Sequence, residues 1–160
     1  MNFDTAFALL LGHEGDYTDD TALGDRGGKT RFGITEAVAR QAGYTGDMRE
    51  LPVDLAKRIY LDSYWRPVRA DDLPPGVRYI VFDGAVNSGP AQSALWLQRA
   101  LGVTADGVIG PRTLAAAYAK DAQQLKTAIL AQRLRFMTSL TNWPAFSRGW
   151  ARRIADLMEA

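Results

Sequence analysis

Cysteine is absent from the 160 residues, which excludes a disulfide framework, a thiol nucleophile and thiolate metal ligation. Histidine is nearly absent too. His13 is the only one, and with no H-E-x-x-H or C-x-x-C spacing zinc chemistry has no ligand set. A serine triad is excluded on the same ground, because G-x-S-x-G does not occur and the one imidazole already adjoins Glu14. No apolar run reaches the length of a membrane span, although hydrophobic residues make up 47% of the chain. The opening Met1-Asn2-Phe3-Asp4 lacks the basic region of a secretory signal. Synthesis in the cytoplasm is therefore expected, with any action outside depending on release by another component.

Charge of one sign is lacking as well: 19 Lys and Arg face 18 Asp and Glu, for a net charge of +1. Nucleic-acid binding then has no basic stripe to rest on and is not expected. The charge is unevenly spread, however. From Lys126 onward Arg133, Arg135, Arg148, Arg152 and Arg153 outnumber Asp156 and Glu159. Such a segment is either a solvated helix face or a patch for an anionic surface. Trp143 and Trp150 among these arginines add the expectation of contact with anionic lipid, against the simpler one of tryptophans packed in the core. A monomer is expected.

What is present is mostly helical periodicity. Phe3, Phe7, Leu10 and Leu11 recur at i, i+4, i+7 and i+8. Glu14, eleven residues after Phe3, returns to that face after three turns plus about 20°. Gly15 then suits the C′ position. A carboxyl in line with an apolar stripe, at the negative end of a helix, has its anion disfavoured and its pKa raised. That is how a general acid stays protonated near neutral pH. Taken alone, such a glutamate reads as a surface residue of a last turn.

A Gly/Asp/Thr-rich connection runs from Gly15 to Gly33, and long connections of this kind are often functional. Thr35 is an N-cap for a helix over 36–42 that Gly43 ends. A second helix opens at Leu51-Pro52, runs to about Trp65 and stops at Pro67. Asp71-Asp72-Leu73-Pro74-Pro75-Gly76 is the strongest turn signal and the candidate hinge. Beyond it the pattern predicts a buried helix from Val77 to Asn87, another through Ala94–Leu101 closed by Gly102, and a tight turn over 106–111. A helix starting at Pro111, a long one through Leu125–Leu140, a break at Trp143-Pro144 and a short last helix through Trp150–Met158 complete the chain. Strand-like alternation is almost missing. The fold class expected is mainly α, with at most a small β-hairpin in residues 16–33, and a catalytic region at 1–70 followed by a helical region at 71–160.

With metals, thiols and triads excluded, carboxylate chemistry remains. Gly24-x-x-x-Gly28-Lys29-Thr30 is one residue short of a phosphate-binding loop and follows no hydrophobic strand, so it is set aside. Glu14 would donate a proton. Asp25 is the best second acid, since Gly27-Gly28 allows close approach of backbone to a ligand; Asp16, Asp19 and Asp20 compete for the role. Thr30 would orient a water. Two carboxyl groups flanking a bond is the usual arrangement for glycoside cleavage. Tyr17, Phe32, Tyr60, Tyr64 and Trp65 offer stacking faces for sugars, although Tyr60 and Trp65 read equally well as core.

Glu14-Gly15-Asp16-Tyr17, followed by Asp25-Arg26-Gly27-Gly28-Lys29-Thr30-Arg31-Phe32-Gly33-Ile34-Thr35, resembles the E-G-G-Y and D-x-G-G-x-T-x-x-G-I-T signature of glycosyl hydrolase family 108, the phage and bacterial N-acetylmuramidases. Phe82–Pro90, Trp96-Leu97-Gln98 and Asp106-Gly107-Val108-Ile109-Gly110-Pro111-x-Thr113-Leu114 resemble the peptidoglycan-binding region that accompanies it. The resemblance implies a lysozyme-like helical fold, Glu14 as catalytic acid, peptidoglycan glycan strands as substrate and no metal or cofactor. Asp25 and Thr30 stand beside Glu14 as catalytic candidates from the reading of the residues themselves. Asp16, Tyr17, Gly28, Phe32, Tyr60 and Asn87 are the substrate-binding set. Asp16 departs from the family, standing where a second glycine is usual; a carboxylate there would raise the pKa of Glu14 further or serve as another second acid. The activity implied is hydrolysis of the β-1,4 bond between N-acetylmuramic acid and N-acetylglucosamine. A lytic transglycosylase, or a wall-binding phage module without catalysis, are the alternatives.

Overall fold

The computed structural model describes residues 1–13, 17–19 and 29–159, without the side chains of His13 and residues 17–19. The described chain forms two compact units, Asn2–Ser63 and Met1 together with the chain from Tyr64 onward.

In the first unit Asn2 starts helix α1 (Phe3–His13) by accepting the Thr5 N–H at 3.0 Å. Phe7 and Leu10 of α1 are buried, as the spacing predicts, with Ala6 beside them; Phe3 and Leu11, expected on the same face, are half-buried, and Leu9 is exposed. Each large apolar side chain so buried contributes about 1.5–3 kcal/mol. Three short antiparallel strands follow: β1 (Tyr17–Asp19), β2 (Lys29–Arg31) and β3 (Ile34–Thr35). Tyr17 pairs with Arg31 and Thr18 with Thr30, then Thr30 with Thr35 and Arg31 with Ile34. The sheet is thus one strand larger than a hairpin and reaches Thr35, because Phe32 (φ 53°) and Gly33 (φ 72°) form a two-residue turn with both residues left-handed. Thr35 ends β3 and caps α2 (Glu36–Gln41), its Oγ1 accepting the Val38 N–H at 3.4 Å. A single 3-10 turn (Met48–Glu50) leads to α3 (Val53–Tyr60), which continues as a π-turn over Leu61–Trp65. Lys57 on α3 pairs with Asp4 on α1 at 2.6 Å.

The second unit is built on α4 (Arg78–Ser88), where every residue from Tyr79 to Ala85 is buried. A helix buried on every side belongs at the centre. The turn before it is anchored, not loose: Arg78 donates from Nε to the Leu73 carbonyl and from Nη2 to that of Asp71, both at 2.8 Å. The division between the units falls earlier, after Ser63. α5 (Pro90–Leu101) starts on a proline and stops at Gly102 (φ 73°). It packs closely on α4, with Ser93 Oγ donating to the Val81 carbonyl at 2.7 Å. α6 (Pro111–Ala119) and α7 (Ala122–Thr138) follow, the latter capped by Asp121 accepting the Gln124 N–H at 2.9 Å. Phe82, Trp96, Leu97, Leu125, Ile129 and Leu130 are fully buried. α8 (Trp143–Glu159) corrects the expected short last helix: Pro144 lies in its first turn, where the missing N–H costs nothing, so proline begins the helix instead of breaking the chain.

Candidate functional site

Glu14, Asp16, Asp20, Asp25 and Gly28, all expected at the site, lie outside the described residues, as do the side chains of Tyr17 and Asp19. What is described is the frame next to them. α1 delivers the chain to His13, immediately before Glu14. β2 carries Thr30 at the middle of the sheet, half-buried and paired with Thr18 on one side and Thr35 on the other. One residue beyond the strand, half-buried Phe32 has the Arg31 guanidinium 4.9 Å from its ring centroid.

Tyr60 is a correction. Its side chain is only 1% exposed, so it offers no face to a sugar. The ring packs on Phe7 of α1, centroids 5.6 Å apart, and Oη donates to the Phe32 carbonyl at 2.9 Å. Tyr60 therefore ties helix, sheet turn and α3 together and is a positioning residue. Trp65, with no exposed surface, is core in the same way, its ring edge-on to Phe82 at 5.3 Å. Burial pushes the Tyr64 hydroxyl pKa up.

In the second unit Asn87 is exposed near the end of α4, its amide donating to the Asp83 carbonyl at 2.9 Å. It borders a cavity of about 120 Å³ together with Ser88, Arg133, Asn142, Trp150 and Arg153. One turn earlier on α4 is a buried acid, Asp83, that lies in the Phe82–Pro90 motif but outside the expected site residues. Asp83 accepts from Arg133 Nη1 at 2.5 Å, and from Arg153 Nε at 2.9 Å and Nη2 at 2.6 Å. Burial alone would raise the carboxyl pKa, but the Arg133 charge and the Arg153 hydrogen bonds outweigh it and hold Asp83 below the usual range. This changes the reading of the cationic C-terminal segment. Arg133 is buried, Lys126 nearly so, and Arg153 is committed to Asp83, so three of its cations face inward. Trp143, Phe146 and Trp150 form a ring cluster along α8, with Phe146 stacked on Trp150 at 5.6 Å and more than half exposed.

Among the described residues no three His, Asp or Glu side chains gather where a metal would be held, and no helix is long and apolar enough to cross a membrane.

Residues 7–89 match the family model described as glycosyl hydrolase 108, and residues 92–155 match that of a predicted peptidoglycan domain. The functional division expected at residue 70 lies between the boundary of the compact units and that of these two models. No curated protein matches the sequence closely enough to count as a relative. The structure of SagA from Brucella abortus is similar over 98% of this chain and 91% of its own, with a TM-score of 0.87 and 34% sequence identity. Its mainly helical architecture with a small sheet is lysozyme-like, and the match covers more than half of its length. The chain therefore belongs to glycosyl hydrolase family 108, a glycoside hydrolase that acts on the peptidoglycan of the cell wall.

Proposed function

We propose that the chain is an N-acetylmuramidase, cleaving the β-1,4 bond between N-acetylmuramic acid and N-acetylglucosamine, with Glu14 as general acid. Glu14 protonates the leaving oxygen, and Asp25, or a water held near Thr30, completes hydrolysis. The observation that carries this reading is the family match over 7–89, which takes in the acidic block from Glu14 to Asp25 and the glycine-rich run up to Thr35. The described frame is consistent with it: α1 leads directly to Glu14, and Thr30 stands in a strand paired on both sides. Asp16, Tyr17, Gly28 and Phe32 would line the sugar path on this unit, and Asn87 would be a separate substrate-contacting residue of the second unit. The role is that of an endolysin-type enzyme working as a monomer, and it brings about bacterial lysis by opening glycan strands.

Stereochemistry follows from the carboxyl separation, about 6.5–9.5 Å for inversion and about 5–5.5 Å for retention with a covalent intermediate. The test is product analysis. Hydrolysis adds a water to each released muropeptide, and a 1,6-anhydro end would instead assign a lytic transglycosylase. Glu14→Gln should abolish clearing of permeabilised Gram-negative cells while the circular dichroism spectrum stays that of the parent. Normal clearing by that variant would remove Glu14 from the mechanism, and binding to purified wall without clearing by the parent would point to a module that only binds.

A further inference from the structure

Between the end of α5 and the start of α6 lies a cavity of about 530 Å³, lined by Gln98, Thr104, Asp106, Val108, Arg112 and Thr113 among others. That size is typical of small-molecule sites. Its wall is built, not incidental. Gln98 is 1% exposed, and its amide Nε2 donates to Asp106 Oδ1 at 2.7 Å and to the Val108 carbonyl at 3.0 Å. Its Oε1 accepts the Gly107 N–H at 2.9 Å. Asp106 Oδ1 also accepts the Val108 N–H at 2.9 Å. The Gln98 and Val108 bonds both fall on one carboxylate oxygen, Oδ1, inside the turn. The Gln98 hydrogen bond, with that from Val108, holds the Asp106 pKa below its ordinary value, so the group is an anion at neutral pH.

Arg112, exposed in the first turn of α6, has no ion-pair or hydrogen-bond partner among the described residues. Val108 is an apolar side chain left 68% exposed. A fixed carboxylate, an uncommitted guanidinium and an exposed apolar side chain round one cavity suit a zwitterionic ligand with small apolar parts. N-acetylglucosamine is neutral, and the lactyl group of N-acetylmuramic acid supplies at most a carboxylate and never an ammonium. The short peptides that branch from the glycan strand carry both, with free carboxylates at their ends and, on the diamino acid, a free ammonium.

We propose that this cavity binds the stem peptide of peptidoglycan, its ammonium against Asp106 and a carboxylate against Arg112, with Gln98 as the positioning residue that fixes Asp106. The site gives the protein a hold on the wall chemically distinct from glycan cleavage. It rests on peptidoglycan being the substrate but not on which glycosidic bond is cut.

The test is titration of the full ¹⁵N-labelled chain with the synthetic tetrapeptide L-Ala-γ-D-Glu-meso-diaminopimelate-D-Ala and, separately, with an N-acetylglucosamine tetramer. The peptide should shift the amides of Gly107, Val108 and Arg112 and the side-chain amide of Gln98, and the sugar should leave them in place. Arg112→Gln, which removes no contact inside the protein, should weaken peptide binding about tenfold, as should Asp106→Asn, which keeps an acceptor for the turn. No peptide shifts at these amides, equal shifts with the neutral sugar, or unchanged peptide affinity in Arg112→Gln overturns the proposal. Release of reducing ends from peptide-free glycan strands judges the muramidase reading on its own, so the failure of one is not mistaken for the failure of the other.

Discussion

The hydroxyl of Tyr60 reaches across 28 residues to the carbonyl of Phe32, 2.9 Å away, and so fastens the sheet turn to α3. Phe32 is held there at a φ of 53°, a conformation that costs a non-glycine residue about 1 kcal/mol or more. The bond supports an unfavourable backbone next to the strand that carries Thr30. Tyr60→Phe should lower stability by about 1 kcal/mol in urea titration. It should also reduce clearing activity while circular dichroism stays unchanged. A variant with parental stability and activity would mean the turn holds itself.

Asp83 gives the sharpest stability prediction. With Arg133 almost entirely buried beside it and Arg153 partly so, Asp83→Ala leaves uncompensated positive charge and should cost about 3–5 kcal/mol. The sign of the pH dependence follows from the lowered folded-state pKa. The contribution is fully present above the unfolded carboxyl value of about 3.9 and is lost as pH falls through the folded value. Acid unfolding followed by tryptophan fluorescence below about pH 4 should therefore be less steep in Asp83→Asn than in the parent protein.

Close approach of α4 and α5 can be probed at Gly84. A Cβ there would lie 2.8 Å from Ser93 Oγ and 3.3 Å from Trp96 Cζ3. Gly84→Ala should thus destabilise by about 1–3 kcal/mol through overpacking. Adding Ser93→Gly should recover part of that loss, a coupling that a double-mutant cycle in guanidinium chloride would read directly.

Gln98 bonds three groups of the 106–111 turn, and the Thr113 hydroxyl beyond it, from a buried position. Gln98→Leu leaves the Gly107 N–H and the Val108 carbonyl without that partner and should cost about 1–3 kcal/mol. Hydrogen exchange should locate the loss, with the Gly107 amide exchanging much faster and those of α4 nearly unchanged.

Local chemistry made much of this legible. Thr35 before Glu36, Pro111 after Gly110 and Gly102 after Leu101 mark helix ends that the backbone itself requires, and each stands where expected. β3 escaped because two residues are too few to show alternation. Pro144 was misread because proline marks both the end of one helix and the first turn of another, and only packing tells which. Asp83 looked unremarkable because Arg133 and Arg153 follow it by 50 and 70 residues, beyond any periodicity. The same distance made those arginines look like part of a solvated patch. At the candidate site the motif supplied Thr30 and Phe32, whereas the burial of Tyr60 depends on α1 meeting α3, which spacing within either helix does not encode.

The pairing of Asp83 with Arg153 also orders events during synthesis. The carboxylate sits in the central helix of its unit, yet one of its two cations is made 70 residues later, in α8. A nascent chain that has already collapsed around α4 must keep that acid in contact with water, or half-neutralised by Arg133, until α8 has emerged. Stop codons ahead of Arg153 are therefore expected to yield chains that chaperones and proteases recognise as unfinished.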